Sequence, residues 1–331
     1  MSHSITSIER GQEFLDSKAN ELNANKPKTV DIHDYLSLEI PPQITLLSPW
    51  LLAASLVMIH AWRGVGKTFF TLNLAYAIAS GGKFLKFEAS ESRKVLYIDG
   101  EMPGAALQTR LAGIVTNNSK EPPPGYFTIY TIDQQPNGIM PDLATVEGQG
   151  IIDSVIEPDT AVIVIDNLSC LARRGGKENE AESWLTIADW ALRHRAQGRT
   201  IIFVHHSGKN GTQRGTSKKE DILDTVISLR HPRDYSPDHG AVFEVNFEKA
   251  RGIYGDDTKP FEAKLKTDNE GNQQWEIKDA ELKTYDQVVD LYQEGITSQA
   301  EIARELDINR STVNRHIKKA LESGDIERSK Q

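Results

Sequence analysis

The run Ala61-Trp62-Arg63-Gly64-Val65-Gly66-Lys67-Thr68 constrains this chain more than any other. It follows an apolar, strand-like stretch from Leu56 to Ile59 and opens a helix-like stretch from Phe69 to Ala79. Strand, small-residue turn and helix in that order make a phosphate cradle. The backbone N–H groups of the turn point inward, and the helix N-terminus adds a favourable dipole. In such a loop Lys67 reaches the β- and γ-phosphates and the Thr68 hydroxyl ligates Mg²⁺. Arg63, Gly64, Val65, Gly66 and Phe69 complete the nucleotide-binding run, and the expected ligands are ATP and Mg²⁺. Ala61 stands where the pattern asks for glycine, and alanine is the mildest replacement there.

With 331 residues the chain holds one large core and a small appended module. An apolar content of 38% and a charged content of 26% are those of a soluble protein. Apolar runs are too short to span a bilayer, so no membrane is expected. The polar N-terminus carries no export signal. Cys170 has no second cysteine with which to form a disulfide or a zinc site. A cytoplasmic location fits these features. The net charge of −9 argues against a wholly basic nucleic-acid coat, while leaving room for local basic surfaces.

Residues 1–40 read as an N-terminal arm, with weak helical periodicity from Ile8 to Asn25, closed by Pro41 and Pro42. Residues 41–280 read as an ATPase domain. Strand candidates at Val57–Ala61, Lys94–Asp99, Phe127–Ile132, Ala161–Asp166 and Thr200–His205 alternate with helix candidates at Lys67–Ser80, Gly104–Val115, Leu143–Ile156 and Glu178–Gln197. That alternation predicts an α/β fold: a mostly parallel sheet flanked by helices, with ligand at the carboxyl ends of the strands. Four further strands (Thr225–Leu229, Ala241–Lys249, Phe261–Lys266, Gln274–Ile277), with hairpin signals at 238–240 and 269–272, are expected to extend the sheet on one edge. Residues 281–331 read as a small all-α domain with helices at Tyr285–Glu294, Gln299–Leu306 and Arg310–Ser323.

Several strand ends carry chemistry. Glu101 follows the second strand and is the candidate general base for the water that attacks the γ-phosphate; the bland alternative is a solvated acid at a loop start. Asp99 is read as holding a helix N-terminus instead. Asp166 closes an apolar run in the manner of a carboxylate that serves magnesium. His206, in preference to His205, is the candidate donor to the γ-phosphate. Two glycine-rich basic segments follow these strands, one with Arg173, Arg174 and Lys177, the other with Lys209, Arg214, Lys218 and Lys219. Lysine and arginine on such segments suit sequence-independent contact with nucleic-acid phosphates; the alternative is a solvated surface. Lys249 and Arg251 lie two residues apart at a strand end, where they share a face. Such a pair can serve the γ-phosphate of a neighbouring subunit, an effect worth about 10³–10⁵ in rate, or form a salt-bridged hairpin end.

Taken in order, Arg63-Gly64-Val65-Gly66-Lys67-Thr68, Ile98-Asp99-Gly100-Glu101-Met102, Ile165-Asp166-Asn167, His205-His206-Ser207 with Arg214-Gly215-Thr216-Ser217, and Lys249-Ala250-Arg251-Gly252 resemble the RecA/DnaB-type ATPases, most nearly the RepA-type hexameric helicases of plasmids. The resemblance covers roughly residues 40–270. It implies a RecA-like core, a homo-oligomeric hexameric ring with ATP at subunit junctions, and single-stranded DNA in a central channel. It implies Glu101 as catalytic base, His206 as phosphate sensor and Lys249 with Arg251 as cations acting in trans. The two basic segments match the family's channel loops by position.

The run from Ser298 to Ile317 resembles a (winged) helix-turn-helix. Ile302, Ala303, Leu306, Ile308, Val313 and Ile317 have the spacing that packs two helices across a short turn. The second helix then presents Arg310, Ser311, Asn314, Arg315 and Lys318, residue types that touch phosphates and base edges of duplex DNA; a protein-docking bundle is the alternative. The leading expectation is a replicative DNA helicase of a plasmid, phage or other mobile element. The competing ones are an ATP-switched DNA-binding regulator or recombination mediator, and a small-molecule kinase.

Overall fold

The computed structural model describes residues 29–40, 42–172, 180–207, 221–232, 235–268 and 273–326. The periodic stretch from Ile8 to Asn25 and both basic segments, with Arg173, Arg174, Lys177, Lys209, Arg214, Lys218 and Lys219, lie outside the described residues. Among the described residues up to Pro42 there is one short helix, α1 (Ile32–Leu36), capped by Asp31, whose carboxylate accepts from the His33 N–H at 2.9 Å.

From Gln43 onward, the described residues form a nine-stranded sheet. Its strands are β1 (Leu56–Ala61), β2 (Lys94–Asp99), β3 (Phe127–Thr131), β4 (Thr160–Asp166), β5 (Thr200–His206), β6 (Thr225–Arg230), β7 (Val242–Ala250), β8 (Phe261–Thr267) and β9 (Gln273–Asp279). They lie side by side in the order β9-β8-β7-β6-β1-β5-β4-β2-β3. Strands β6, β1, β5, β4, β2 and β3 run parallel, while β7, β8 and β9 form an antiparallel extension at one edge. The mostly parallel sheet and its extension at one edge are those expected from the sequence alternation.

Alternate residues of the parallel strands feed two cores. Val57, Ile59, Tyr97, Val162, Val164, Ile202 and Val204 face one side of the sheet with helix α2 (Lys67–Ser80). Leu56, Met58, Ile98, Ile163, Ile165, Ile201 and Phe203 face the other, against Trp184, Ile187 and Trp190 of helix α5 (Glu180–Ala196). Both faces are therefore apolar, the signature of a covered parallel sheet.

Helix α2 is buried nearly all round. Sheet and helix α3 (Gly104–Thr116) enclose it, together with the Lys83–Phe84/Phe87–Glu88 hairpin and aromatic side chains from the antiparallel extension. Phe70 meets Phe84 and Phe243 edge-on with centroids 5.2 and 5.8 Å apart, and Trp275 of β9 closes over Phe84 and Phe243 at 5.7 and 5.4 Å. The helix ends at Gly81, whose φ of +63° is the left-handed cap that glycine supplies without steric cost.

Two expected helices have different bounds. The stretch expected to be helical over Leu143–Ile156 is helical only over α4 (Val146–Asp153). Thr145 caps it, its hydroxyl accepting from the Gly148 N–H at 3.0 Å, while the Leu143 N–H is committed to the Leu171 carbonyl at 2.8 Å. Helix α6 (Ala280–Gln293) begins directly after β9, earlier than the expected Tyr285. It packs with α7 (Gln299–Glu305) and α8 (Arg310–Ser323) around Val288, Ile302, Val313, Ile317 and Ala320.

Trp275→Ala should lower the unfolding free energy by about 3 kcal/mol, the scale of removing an aromatic side chain from a packed site. Denaturant titration should still show one transition, because the extension and α2 share a core; a separate early transition would mean that β7–β9 melt independently.

Candidate nucleotide-binding site

The phosphate loop leaves β1 at Ala61 and enters α2 at Lys67. Gly64 and Gly66 have φ of +83° and +115°, and a Cβ on Gly66 would stand 3.2 Å from the Phe243 ring. Glycine is required there by conformation and by space. Ala61 needs no such freedom. It is the buried last residue of β1, in register with His206 of β5, so its methyl group is accommodated where the motif normally has glycine.

Lys67 is buried, and its Nζ donates to the carbonyls of Ala61 and Trp62, both at 3.0 Å. Burial lowers its pKa to about 8, against the opposing pull of Asp166 and Glu101. Asp166, 3% exposed at the end of β4, accepts from the Tyr97 hydroxyl at 2.6 Å and adjoins the Thr68 side chain. Desolvation raises its pKa to about 6 despite those donors. A buried carboxylate beside a threonine hydroxyl and a desolvated lysine is a donor set that fits magnesium and polyphosphate.

Asp99 is buried and accepts from the N–H groups of Glu101 and Met102 at 2.9 and 2.7 Å. It therefore shapes the turn that leads into α3, and burial pushes its pKa up. That turn swings Glu101 into the cleft, where its side chain is 55% exposed and open to water. His206 lies across from it, its Nε2 3.3 Å from Glu101 Oε2. Burial, with the nearby Lys67 ammonium, lowers the pKa of His206. His205 turns to the opposite face, in register with His60.

Sequence reasoning assigned no role to Asn167. It is fully buried, donates through Nδ2 to Glu101 Oε2 and lies 3.1 Å from His206 Nε2, while its Oδ1 accepts from the Cys170 N–H at 3.1 Å. The signal was an Asx residue directly after the acidic strand end, where it caps the single turn Leu168–Leu171. The connection between β6 and β7 was also missed. Tyr235, Pro237, Gly240 and Ala241 line a cavity of 550 Å³ together with the phosphate loop, Glu101, Met102, Arg110 and Asp166. Arg110 also stacks its guanidinium 4.7 Å above the Phe69 ring. Arg63 is exposed on the loop, close enough to lower the pKa of both Lys67 and His206.

Lys249 and Arg251 are not near this cleft. Strand β7 runs antiparallel to β6, and through β6 Lys249 and Ala250 are level with Met58 and Val57 of β1, so Lys249 lies about 10 Å along the strand from Ala61 and two strands across, with Arg251 further back. Arg251 pairs with Asp224 at 3.2 Å in its own chain, the salt-bridged end expected as the alternative. In the C-terminal bundle Arg310, Ser311, Asn314, Arg315 and Lys318 are all exposed on α8, opposite the buried Val313, Ile317 and Ala320. Asn314 Oδ1 accepts from Gln299 Nε2 at 3.1 Å, and Lys318 lies 3.9 Å from Glu322.

Residues 20–212 match a family model described as AAA domain, and residues 291–327 match one described as winged helix-turn-helix DNA-binding. No curated protein matches. Among solved structures, a KaiC-like protein of the archaeon Pyrococcus horikoshii OT3 is 16% identical with a TM-score of 0.47, covering 72% of this chain and 99% of its own. The flagellar accessory protein FlaH of Methanocaldococcus jannaschii is 12% identical with a TM-score of 0.45, covering 68% of this chain and 91% of its own.

Asp166 gains a proton in the folded state between its ordinary 3.8 and about 6, where the unfolded chain has already lost it. Its contribution to stability therefore falls as pH rises through that range. In the presence of a chelator, Asp166→Asn should stabilise the protein by up to about 3 kcal/mol at pH 8 and by little at pH 4. Denaturant melts at the two pH values check this; equal effects at both would show that Asp166 is not held against its charge.

Proposed function

Because this chain belongs to the AAA-domain family, we propose that its phosphate-loop site binds Mg·ATP and hydrolyses it in a ring of identical subunits that act on DNA. Lys67 and the backbone N–H groups from Gly64 to Thr68 hold the β- and γ-phosphates. Thr68 and Asp166 would hold magnesium, which would supply positive charge to the phosphate oxygens. Glu101 takes the proton of the attacking water, and its exposure leaves it open to that water. Asn167 holds Glu101 and His206 together, and His206 contacts the γ-phosphate.

The observation that carries the reading is the convergence of Lys67, Glu101, Asp166 and His206 on one cleft whose lining includes neither Lys249 nor Arg251. Both cations are set back from their own cleft, on the far side of β6. We read their role in phosphate chemistry as service to a second copy, which is the reason for proposing a ring, in its fullest form a hexamer. The segments with Arg173, Arg174, Lys177, Lys209, Arg214 and Lys218 are proposed to contact single-stranded DNA. In this reading the protein is a replicative helicase of a mobile element.

The C-terminal bundle favours a second reading. Residues 291–327 match a DNA-binding winged helix-turn-helix, and the polar face of α8 is exposed. A subunit anchored on duplex DNA suits an ATP-switched regulator or recombination mediator. Directional, ATP-dependent opening of a forked duplex supports the helicase; its absence together with ATP-dependent protection of one duplex site supports the switch.

Glu101→Gln should bind nucleotide normally and hydrolyse it about 10²–10⁴-fold more slowly, the usual contribution of a general base. Arg251→Ala and Lys67→Ala should each be inactive alone and regain partial hydrolysis when mixed, because their defects fall on opposite sides of a junction. A phosphate-release assay on the mixture reads this, and no recovery at any ratio refutes action in trans. For the bundle, Lys318→Ala should weaken duplex binding evenly across sequences and reduce the salt slope by about one, as read by fluorescence anisotropy against salt.

A further inference from the structure

The reverse face of the sheet, beneath the nucleotide cleft, carries a polar seam in an otherwise apolar core. Ser207 follows His206 directly, and its Oγ lies 2.8 Å from His60 Nδ1. His60 Nε2 lies 2.9 Å from Glu248 Oε2, and Arg230 donates to Glu248 Oε1 at 2.8 Å. The seam thus crosses β5, β1, β6 and β7. His60 is 2% exposed at its centre, in register with Ser228 on one side and His205 on the other.

The carboxylate fixes the donor at the Glu248 end. The His60 hydrogen bond holds the Glu248 carboxyl down to about 2, so it is an acceptor only. His60 Nε2 must then carry the proton it donates to Glu248. The other ring nitrogen, Nδ1, pairs with the Ser207 hydroxyl at 2.8 Å. The sequence of serine, histidine and carboxylate is also that of a hydrolase triad. Here the Ser207 N–H donates to the Ala61 carbonyl at 2.9 Å, so it is not available to stabilise an oxyanion.

The position of Glu248 gives the seam its meaning. Ile227 pairs with Phe247 and Val226 pairs with Lys249, leaving Glu248 as the extra residue of a β-bulge. A bulge sets the register of everything that follows it, and a slip of one residue turns each side chain to the opposite face. The residues that follow are Lys249, Ala250 and Arg251.

We propose that His60 is a positioning residue that pins the Glu248 bulge to the end of the phosphate-sensing strand, and so fixes the face from which Lys249 and Arg251 reach a neighbouring copy. This rests on the reading of those two cations as acting in trans. It adds a route by which the strand end next to His206 and the strand that serves the next site are held by one buried group.

The test uses mixed subunits of the full chain. His60→Leu and Glu248→Ala should each lower hydrolysis by about 10²-fold, the scale of a misplaced catalytic group, while the affinity for a fluorescent ATP analogue stays that of the parent. Mixed with Lys67→Ala subunits, both should regain activity as Arg251→Ala does, since the damage lies on the trans side. His60→Gln, whose amide reaches Glu248, should retain more rate than His60→Leu. If His60→Leu does not fold, Glu248→Ala decides alone. Recovery with Arg251→Ala but not with the seam variants overturns the proposal, because the seam then serves its own cleft; parental rates in both seam variants overturn it as well. No recovery in the Arg251→Ala control refutes the trans reading itself, and the seam proposal falls with it.

Discussion

The carboxylate of Asp166 at the end of a fully buried strand is the constraint around which the site is arranged. An ionised carboxylate taken out of water must be hydrogen-bonded or paired. Here Tyr97 donates to it, Thr68 adjoins it and the Lys67 ammonium is nearby, so the strand, its neighbour β2 and the start of α2 are tied at one point. The same burial leaves Asp166 and Lys67 each short of solvation, one with its pKa raised and the other with its pKa lowered. Two poorly solvated groups of opposite sign at the mouth of a cleft favour a ligand that carries both metal and phosphate, and the protein without ligand bears the cost of holding them there.

How much of this was legible in the sequence follows from which interactions are local. The loop from Arg63 to Thr68 is local: its glycines, lysine and threonine act through the backbone of a single turn, so their order in the chain is their order in space. The parallel strands were legible because both faces are covered, which makes each one a short continuous apolar run. Asn167 was not legible as a site residue, since its contacts with Glu101 and His206 come from two other strands. Tyr235, Pro237 and Ala241 were hidden for the same reason: only the antiparallel return of β7 brings them over the loop. Helix α4 was overextended because Leu143 is as apolar as a helix residue but buries itself from a turn. The alanine in place of the first motif glycine could not be judged from sequence, because only the register of β1 and β5 shows that this residue is ordinary strand.

The antiparallel extension does more than widen the sheet. Through Phe243 and Trp275 it closes the core around α2, and Phe243 also sets the space in which Gly66 must turn. One strand, β7, therefore contacts the phosphate loop at its start and carries Lys249 at its end. Between the two lies the Glu248 bulge, gripped from β1 and β6. Strand ladders alone tolerate slips of register, whereas a side chain anchored by a buried histidine and an arginine does not.

The ion pair between Arg251 and Asp224 bears on whether that end can serve a second copy. The Arg251 side chain is 54% exposed, while Asp224 is 15% exposed and also accepts from the Leu56 N–H at 2.9 Å, so the arginine is the solvated partner of the pair. A cation that stabilises a phosphoryl-transfer transition state by about 10³–10⁵ in rate gains roughly 4–7 kcal/mol there. That gain is realised in the transition state, so it does not require Arg251 to leave Asp224 in the ground state. A guanidinium held by one part-buried carboxylate but more than half open to water can exchange partners without unfolding the strand end that carries it.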